Sequence, residues 1–401
     1  MDCKDKFRSL YHREPESVAF CPYRICPIGA HSDHNLGKIT GLAIDKGIRI
    51  AYSPKLNGVV ELCSLQFDKR AQWHVLQVSQ KKENDWADYL RGATLLLSSR
   101  FPLKRGISGV IEGSLPIGGL SSSAAVVLAF LEAICDVNCI SLTPLEMIQI
   151  SVQVENEYVG VSCGKLDQSC EVFSKKDRLL YLDTRDDSYE LIPFGQTNPD
   201  PEMCRKPLPF DIAIFFSGLE RNLSGSRFNQ RVDEARSAAY ALMAYDGRDY
   251  GKFKETNLRD IPVETFMKYR DRMPENWAKR ADHWYSEFDR VQKGAEAWRK
   301  GDILEYGRLS FESGHSSIYN WETGSPELKA LYEIMTHTDG IYGGRFSGAG
   351  FKGACIALID PAERENVRER VTRLYLERFP QYKDTFLTEF VHSDDGARFI
   401  Y

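Results

Sequence analysis

Short apolar, β-prone runs at residues 18–25, 42–52, 59–65 and 107–113 are bounded by Gly, Pro or Asn, and they predict strands. Residues 86–97 predict a helix. A Gly/Ser loop at 118–123 leads into an apolar helix over 124–135, and a second helix is expected over 146–157. Prolines at 193, 199, 201, 207 and 209 interrupt the pattern and mark the expected boundary between two domains, 1–200 and 201–401. Beyond it come a strand at 211–217, helical stretches rich in Arg, Glu, Trp and Tyr from 230 to about 318, and further helix over 326–338. A glycine-rich segment, 340–353, precedes a strand at 354–359, a helix at 361–378 and a short final strand at 397–401. Strands and helices in mixed order predict α+β layers rather than regular βαβ alternation.

Composition narrows the function classes. Of 401 residues, 42% are hydrophobic and 27% charged, which is ordinary for a globular chain long enough to bury a large core. A net charge of -5 argues against a nucleic-acid partner but leaves room for a locally basic pocket. Residues 1–10 are polar and charged, unlike a signal peptide, and no apolar run reaches the roughly 18 residues a membrane span needs. The ten cysteines are scattered without a Cys-x-x-Cys pair, which reads as reduced thiols of a cytoplasmic protein and not as a zinc site or disulfide framework.

The segment Leu115-Pro-Ile-Gly-Gly-Leu-Ser-Ser-Ser-Ala-Ala125 carries the strongest chemical signal. Gly118 and Gly119 allow close backbone approach to a ligand, and a helix N-terminus opening at Ser121–Ser123 presents unpaired N–H groups suited to phosphate. The same residues could be no more than a turn with an N-capped helix. Walker and dinucleotide patterns are both excluded: no Gly-Lys-Ser/Thr follows, and the third glycine is missing.

Gly119-Leu-Ser-Ser-Ser-Ala-Ala125 is similar to the second motif of the GHMP kinases, although the Pro-Ile-Gly-Gly approach is one residue shorter than the family's usual form. Tyr23-Arg-Ile-Cys-Pro-Ile-Gly-Ala-His-Ser-Asp-His-Asn35 resembles the galactokinase signature. Phe346-Ser-Gly-Ala-Gly-Phe-Lys-Gly-Ala-Cys355 resembles the third motif of the superfamily, with Gly348 and Gly350 in its nucleotide loop. The resemblance implies a two-domain α+β GHMP kinase fold with the active site in the interdomain cleft, and ATP and Mg²⁺ as co-substrate and cofactor.

Phosphoryl transfer needs metal, positive charge and a positioned hydroxyl. Glu155-Asn-Glu-Tyr-Val-Gly-Val-Ser-Cys-Gly-Lys-Leu-Asp-Gln168 resembles the galactokinase stretch that holds the catalytic carboxylate. By that match Asp167 is the catalytic acid/base, Arg24 its partner, and Glu155 with Ser123 the Mg²⁺ ligands. Ser121, Ser122, Leu120, Gly118 and Gly119 cradle phosphate. Trp86-Ala-Asp-Tyr-Leu-Arg-Gly92 resembles the segment whose aromatics, here Trp86 and Tyr89, line the adenine site; buried helix aromatics are the alternative. The match assigns His31, Asp33 and Gly164 to the sugar, with Phe228 near the family's sugar-binding tyrosine. Read without the match, Asp167 is a surface or capping acid, Arg24 a strand-end ion pair, and His31-Ser-Asp-His34 an incomplete metal cluster.

Substrate class turns on Ala30, where galactokinases carry a glutamate facing the C6 hydroxyl of the sugar. A glutamate there would repel a C6 carboxylate by roughly 4 kcal/mol at ~4 Å and an effective dielectric near 20, and alanine removes that penalty. The first motif and the stretch Lys279-Arg-Ala-Asp-His-Trp-Tyr-Ser-Glu-Phe-Asp-Arg-Val291 both look like plant-type galacturonokinases. Lys165, where galactokinases are usually apolar, could help bind the acid, lower the pKa of Asp167, or face solvent. The expectation is a galacturonate 1-kinase whose partners are a sugar acid and ATP, with no membrane and with oligomeric state left open. A galactokinase is the alternative within the class, and a non-catalytic sugar sensor the alternative outside it.

Overall fold

The computed structural model describes residues 2–67, 70–195, 208–219, 225–249 and 251–400. The first half runs α1 (Cys3–Tyr11), β1 (Ser17–Ile25), β2 (Lys38–Lys55), β3 (Val59–Ser64), β4 (Ala71–His74), α2 (Asp88–Ser98), β5 (Gly106–Gly113), α3 (Ser122–Asn138) and α4 (Pro144–Gln153). A π-helical turn (Val154–Val159), α5 (Leu166–Phe173), β6 (Arg178–Asp183) and β7 (Tyr189–Pro193) follow. The second half runs β8 (Asp211–Phe216), α6 (Gly225–Tyr245), α7 (Val263–Tyr269), α8 (Glu275–Lys300), α9 (Ile303–Tyr319), α10 (Pro326–Thr336), β9 (Ile341–Phe346), β10 (Ala354–Ile359), α11 (Arg364–Arg378), β11 (Leu387–Val391) and β12 (Arg398–Phe399).

Two sheets organise these elements. The larger has strand order β12-β1-β2-β5-β3-β4, with β6 pairing the start of β2 and β7 pairing β6. The smaller is antiparallel, in the order β11-β8-β10-β9. The chain therefore returns to the first sheet at its end, where Phe399 sits opposite Ala19. The expected domain boundary at residue 200 lies outside the described residues, as do most of the prolines that suggested it.

Helix α3 is buried on nearly every side, from Ala124 to Val137, which is why its sequence is apolar all round. Its core is continuous with Ile212, Ile214, Ile356 and Leu358 of the second sheet and with Trp298, Tyr306 and Leu309 of α8 and α9. Truncating one of its buried leucines to alanine would cost about 2–5 kcal/mol. The two sheets are thus seated on a shared core, and the cleft between them is framed by rigid elements. Helices α10 and α11 close the far side of the smaller sheet through Leu331, Ile334, Val371 and Tyr375.

Several sequence expectations are adjusted. The helix expected over 86–97 begins at Asp88, whose carboxylate accepts from the N–H groups of Glu83 and Asn84. The helix expected over 146–157 is α4, closed at its start by a Thr143/Glu146 capping box, and then widens into the π-helical turn. The long helical stretch from 230 is divided, with Pro262 and Pro274 at the N-caps of α7 and α8. The glycine-rich segment 340–353 is only partly loop: Ile341–Phe346 is strand β9, where Gly343 lets the Gly307 backbone of α9 approach and Gly344 lies against the Ile356 backbone of β10.

Candidate active site

The site forms where β1, the start of α3, the start of α5 and the loop between β9 and β10 meet. Register shifts between Pro22 and Arg24, where proline supplies no N–H to the ladder, so the end of β1 departs from regular pairing at the residue that enters the cleft. Arg24 Nε donates to Asp167 Oδ1 at 2.9 Å, and Nη2 lies 2.8 Å from the same oxygen. Its Nη1 donates to the Gly119 carbonyl at 3.1 Å and to Ser347 Oγ at 3.3 Å. One buried guanidinium therefore ties the carboxylate to both glycine loops.

The loops pack backbone against backbone. Gly118 and Gly119 have φ of +148° and +80°; a Cβ on Gly119 would lie 3.1 Å from the Ala354 nitrogen and the Ser347 carbonyl oxygen. A Cβ on Gly353 would come within 2.7 Å of the Gly118 carbonyl carbon, and one on Gly348 within 2.9 Å of Gly119 Cα. Ser121 precedes α3 in a left-handed conformation (φ 61°) and its side chain makes no capping bond; Oγ is buried without a partner among the described residues. The plain N-cap alternative is not what the structure contains: the hydroxyl and the first N–H groups of α3 are available to a ligand.

Glu155 lies in the π-helical turn, a distortion that turns it inward. Ser123 and Cys163 flank its carboxylate; burial, then the nearby Asp167 charge, raises its pKa above the ordinary glutamate value. Its Oε1 has no hydrogen-bond partner among the described residues. An orphaned, buried carboxylate oxygen beside a serine hydroxyl at a phosphate-type loop fits a hard cation such as Mg²⁺, which takes oxygen donors and retains waters. No group of three or more His, Cys, Asp and Glu side chains that could hold a metal occurs among the described residues, so His31, Asp33 and His34 do not make a metal centre of that kind.

On the other side of Asp167, Asp33 Oδ2 accepts the Leu166 N–H at 3.0 Å, and a Cβ on Gly164 would fall 2.1 Å from that oxygen. His31 stacks on Trp321 at 5.2 Å with planes 7° apart. Phe228 comes to 6.4 Å from the His31 ring and meets His34 edge-on at 5.4 Å. Burial, and then the field of the Arg345 guanidinium, holds the His31 pKa well below the usual imidazole range. Ala30 is buried beside this ring cluster.

Two expectations are not gathered into this constellation. Lys165 forms an ion pair with Asp187 and none with Asp167. Trp86 stacks on Phe67 at 5.9 Å, and Trp86 and Tyr89 pack half-buried against the main core, on the α2 side of the molecule. Ser347 and Cys163 are contributors the sequence reading passed over, although both lie inside motifs it singled out.

Comparison with known proteins agrees with this architecture. The GHMP kinases N terminal domain matches residues 74–175, the GHMP kinases C terminal domain residues 295–376, and the galactokinase galactose-binding signature residues 5–54. The chain is 36% identical to a galacturonokinase of Arabidopsis thaliana over 91% of this chain and 88% of that protein. It is 30% identical to a galactokinase of Staphylococcus carnosus over 99% and 98% of the two chains. The crystal structure of Lactococcus lactis galactokinase complexed with galactose superposes with a TM-score of 0.87 at 26% identity, covering 98% of both chains. Methanococcus jannaschii mevalonate kinase shares the fold at a TM-score of 0.65 and 14% identity, covering 94% of this chain and 98% of that one. The chain belongs to the GHMP kinases, in the group that carries the galactokinase galactose-binding signature.

Proposed function

We propose that this protein is an ATP-dependent sugar 1-kinase that converts D-galacturonate to galacturonate 1-phosphate. The observation that carries the kinase reading is the Arg24–Asp167 pair joined directly to the Gly118–Ser123 turn. A C1 hydroxyl seated against Asp167 gives its proton to the carboxylate as its oxygen bonds to the γ-phosphorus of ATP; the bond to the bridging oxygen breaks and ADP leaves. Arg24 balances charge on the acid, and the N–H groups opening α3 receive the phosphate oxygens. Glu155 and Ser123 would hold Mg²⁺, which would screen the charge of the phosphates. Trp86 and Tyr89 would form the wall for adenine.

The C6 assignment rests on Ala30. No carboxylate stands at position 30; Arg345 and Arg24 act on the neighbouring His31, each of them paired with an acid, Glu287 and Asp167 respectively. With alanine at position 30 a C6 carboxylate meets no like charge there, whereas a C6 hydroxyl lacks the acceptor a glutamate would offer. The likeness to a galacturonokinase points the same way, whereas the galactose-binding signature supports the galactokinase alternative.

An ADP-release assay across galacturonate, galactose and glucuronate tests both levels. Galacturonate should give the highest kcat/KM. Equal or faster turnover of galactose defeats the substrate assignment and leaves the kinase standing. Binding of sugar and nucleotide without ADP release defeats the kinase in favour of a sensor.

A further inference from the structure

Helix α8 crosses behind the sugar segment and carries a buried stripe, Arg280, His283, Trp284, Glu287 and Arg290, spaced along one helical face. Three of these side chains bind the backbone of residues 29–32. Glu287 Oε1 accepts the Gly29 N–H at 2.6 Å, His283 Nε2 meets the Ala30 carbonyl at 3.0 Å, and Trp284 Nε1 donates to the Ser32 carbonyl at 3.0 Å. A carbonyl only accepts, so the His283 proton is on Nε2, and Nδ1 accepts the Ser316 hydroxyl at 2.9 Å. Glu287 is itself fixed by Ser313 Oγ at 2.5 Å and Arg290 Nε at 2.8 Å.

Between these anchors the backbone takes a conformation that L-residues rarely adopt. Gly29 has φ +109° and His31, which carries a Cβ, has φ +64°. Such geometry persists only where surroundings over-determine it. The anchors do so, on both sides of Ala30.

We infer that His283 and Glu287 are positioning residues that hold the Gly29–His31 turn in the shape that presents Ala30 and His31 to the sugar. The inference rests on the sugar-kinase reading, since it assumes that residues 30 and 31 face the substrate. The same carboxylate also faces Arg345 Nη1 at 3.8 Å, and Arg345 Nε donates to the Phe346 carbonyl at 3.0 Å, immediately before Ser347. One helix face thus braces the sugar segment and the strand that feeds the third glycine loop.

The test measures sugar affinity directly, by titration calorimetry of the full chain with galacturonate and with galactose, beside steady-state kinetics. His283→Leu keeps the buried volume but loses the donor to Ala30, and should weaken sugar binding about tenfold, with ATP KM changed less than about twofold. His283→Gln can place an amide N–H near Nε2 and should restore affinity to within about threefold of wild type. Glu287→Gln is the second probe, should His283→Leu not fold, and should also weaken the sugar more than ATP. A purely structural role would lower the folded fraction or kcat and leave sugar affinity unchanged in every folded variant; that result overturns the inference. Wild type that binds a sugar without phosphorylating it defeats the kinase reading but still lets the affinities decide the positioning role. Wild type that binds neither sugar defeats both.

Discussion

Arg24 places two of its nitrogens on a single oxygen of Asp167, Oδ1, at 2.9 and 2.8 Å, and no hydrogen bond to Oδ2 occurs among the described residues. The asymmetry matters because the arginine side chain is 4% exposed and the carboxylate 27%. The cation is behind the acid, inside the protein, and the carboxylate is the more open of the two groups. A carboxylate held from behind in this way keeps its orientation without surrendering its acceptor.

Asp167→Asn removes the proton acceptor and keeps the shape. The expected result is a fall in kcat of about 10²- to 10⁴-fold, the range for loss of a positioned general base. Nucleotide binding, followed by calorimetry with a non-hydrolysable analogue, should stay within a few-fold. Retained turnover would remove Asp167 from the chemistry.

Gly119→Ala tests the packing of the two glycine loops. The new methyl would meet the Ala354 nitrogen and the Ser347 oxygen at 3.1 Å from a backbone at φ +80°. Both loops must shift, so the apparent KM for ATP should rise by about tenfold or more. An unaltered ATP KM would mean that this turn does not hold phosphate.

Ala30→Glu restores the galactokinase-type carboxylate. If the sugar carries an acid at C6, a repulsion of roughly 4 kcal/mol would lower kcat/KM for galacturonate by about 10²- to 10³-fold, with galactose affected far less. Steady-state kinetics with both sugars checks this, and equal effects on the two would remove the charge argument.

The buried stripe of α8 predicts a pH dependence of stability. Burial pushes the His283 pKa down to about 4, so the unfolded chain takes up this proton before the folded one does. The stabilisation is complete above the ordinary histidine pKa near 6.5 and is lost as pH falls from there toward 4. Glu287 is held down at about 2: burial alone would raise it, but Arg290, His283 and Arg345 outweigh that. Its contribution is present above the ordinary glutamate pKa of 4.5 and drains away as pH falls toward 2. Urea midpoints should therefore drop between pH 7 and pH 5, and His283→Gln should flatten that drop. A wild-type midpoint constant over this interval would contradict the assignment.

Local pattern reached the parts of the site whose chemistry is written in contiguous residues. The turn at 118–123, the Tyr23–Asn35 segment, the stretch ending at Gln168 and the loop after Phe346 each place their backbone and side-chain groups within a dozen or so positions, so residue type and spacing suffice. The strands and apolar helices were legible for the same reason: α3 buries all its sides, and its sequence is apolar on all of them. The π-helical turn at Glu155 was read as ordinary helix because one extra residue per turn leaves no mark on apolar periodicity over so short a span.

What lay beyond local reading was partnership. Lys165 is equally a ligand group or an ion-pair member until the fold brings Asp187 to it. Glu287 and Gly29 are separated by 258 positions, and His283 and Ala30 by 253. A histidine and a glutamate four apart in a helix ordinarily read as a solvated face, and only the packing of α8 across residues 29–32 turns them into buried backbone anchors. The sequence by itself determined the fold class and the glycine loops, because steric freedom and helix polarity are local properties, whereas Asp167 stood out only through its resemblance to the galactokinase stretch. Tertiary structure alone decided which charges neutralise one another and which backbone is strained, because burial and pairing depend on residues the chain brings together only when it folds.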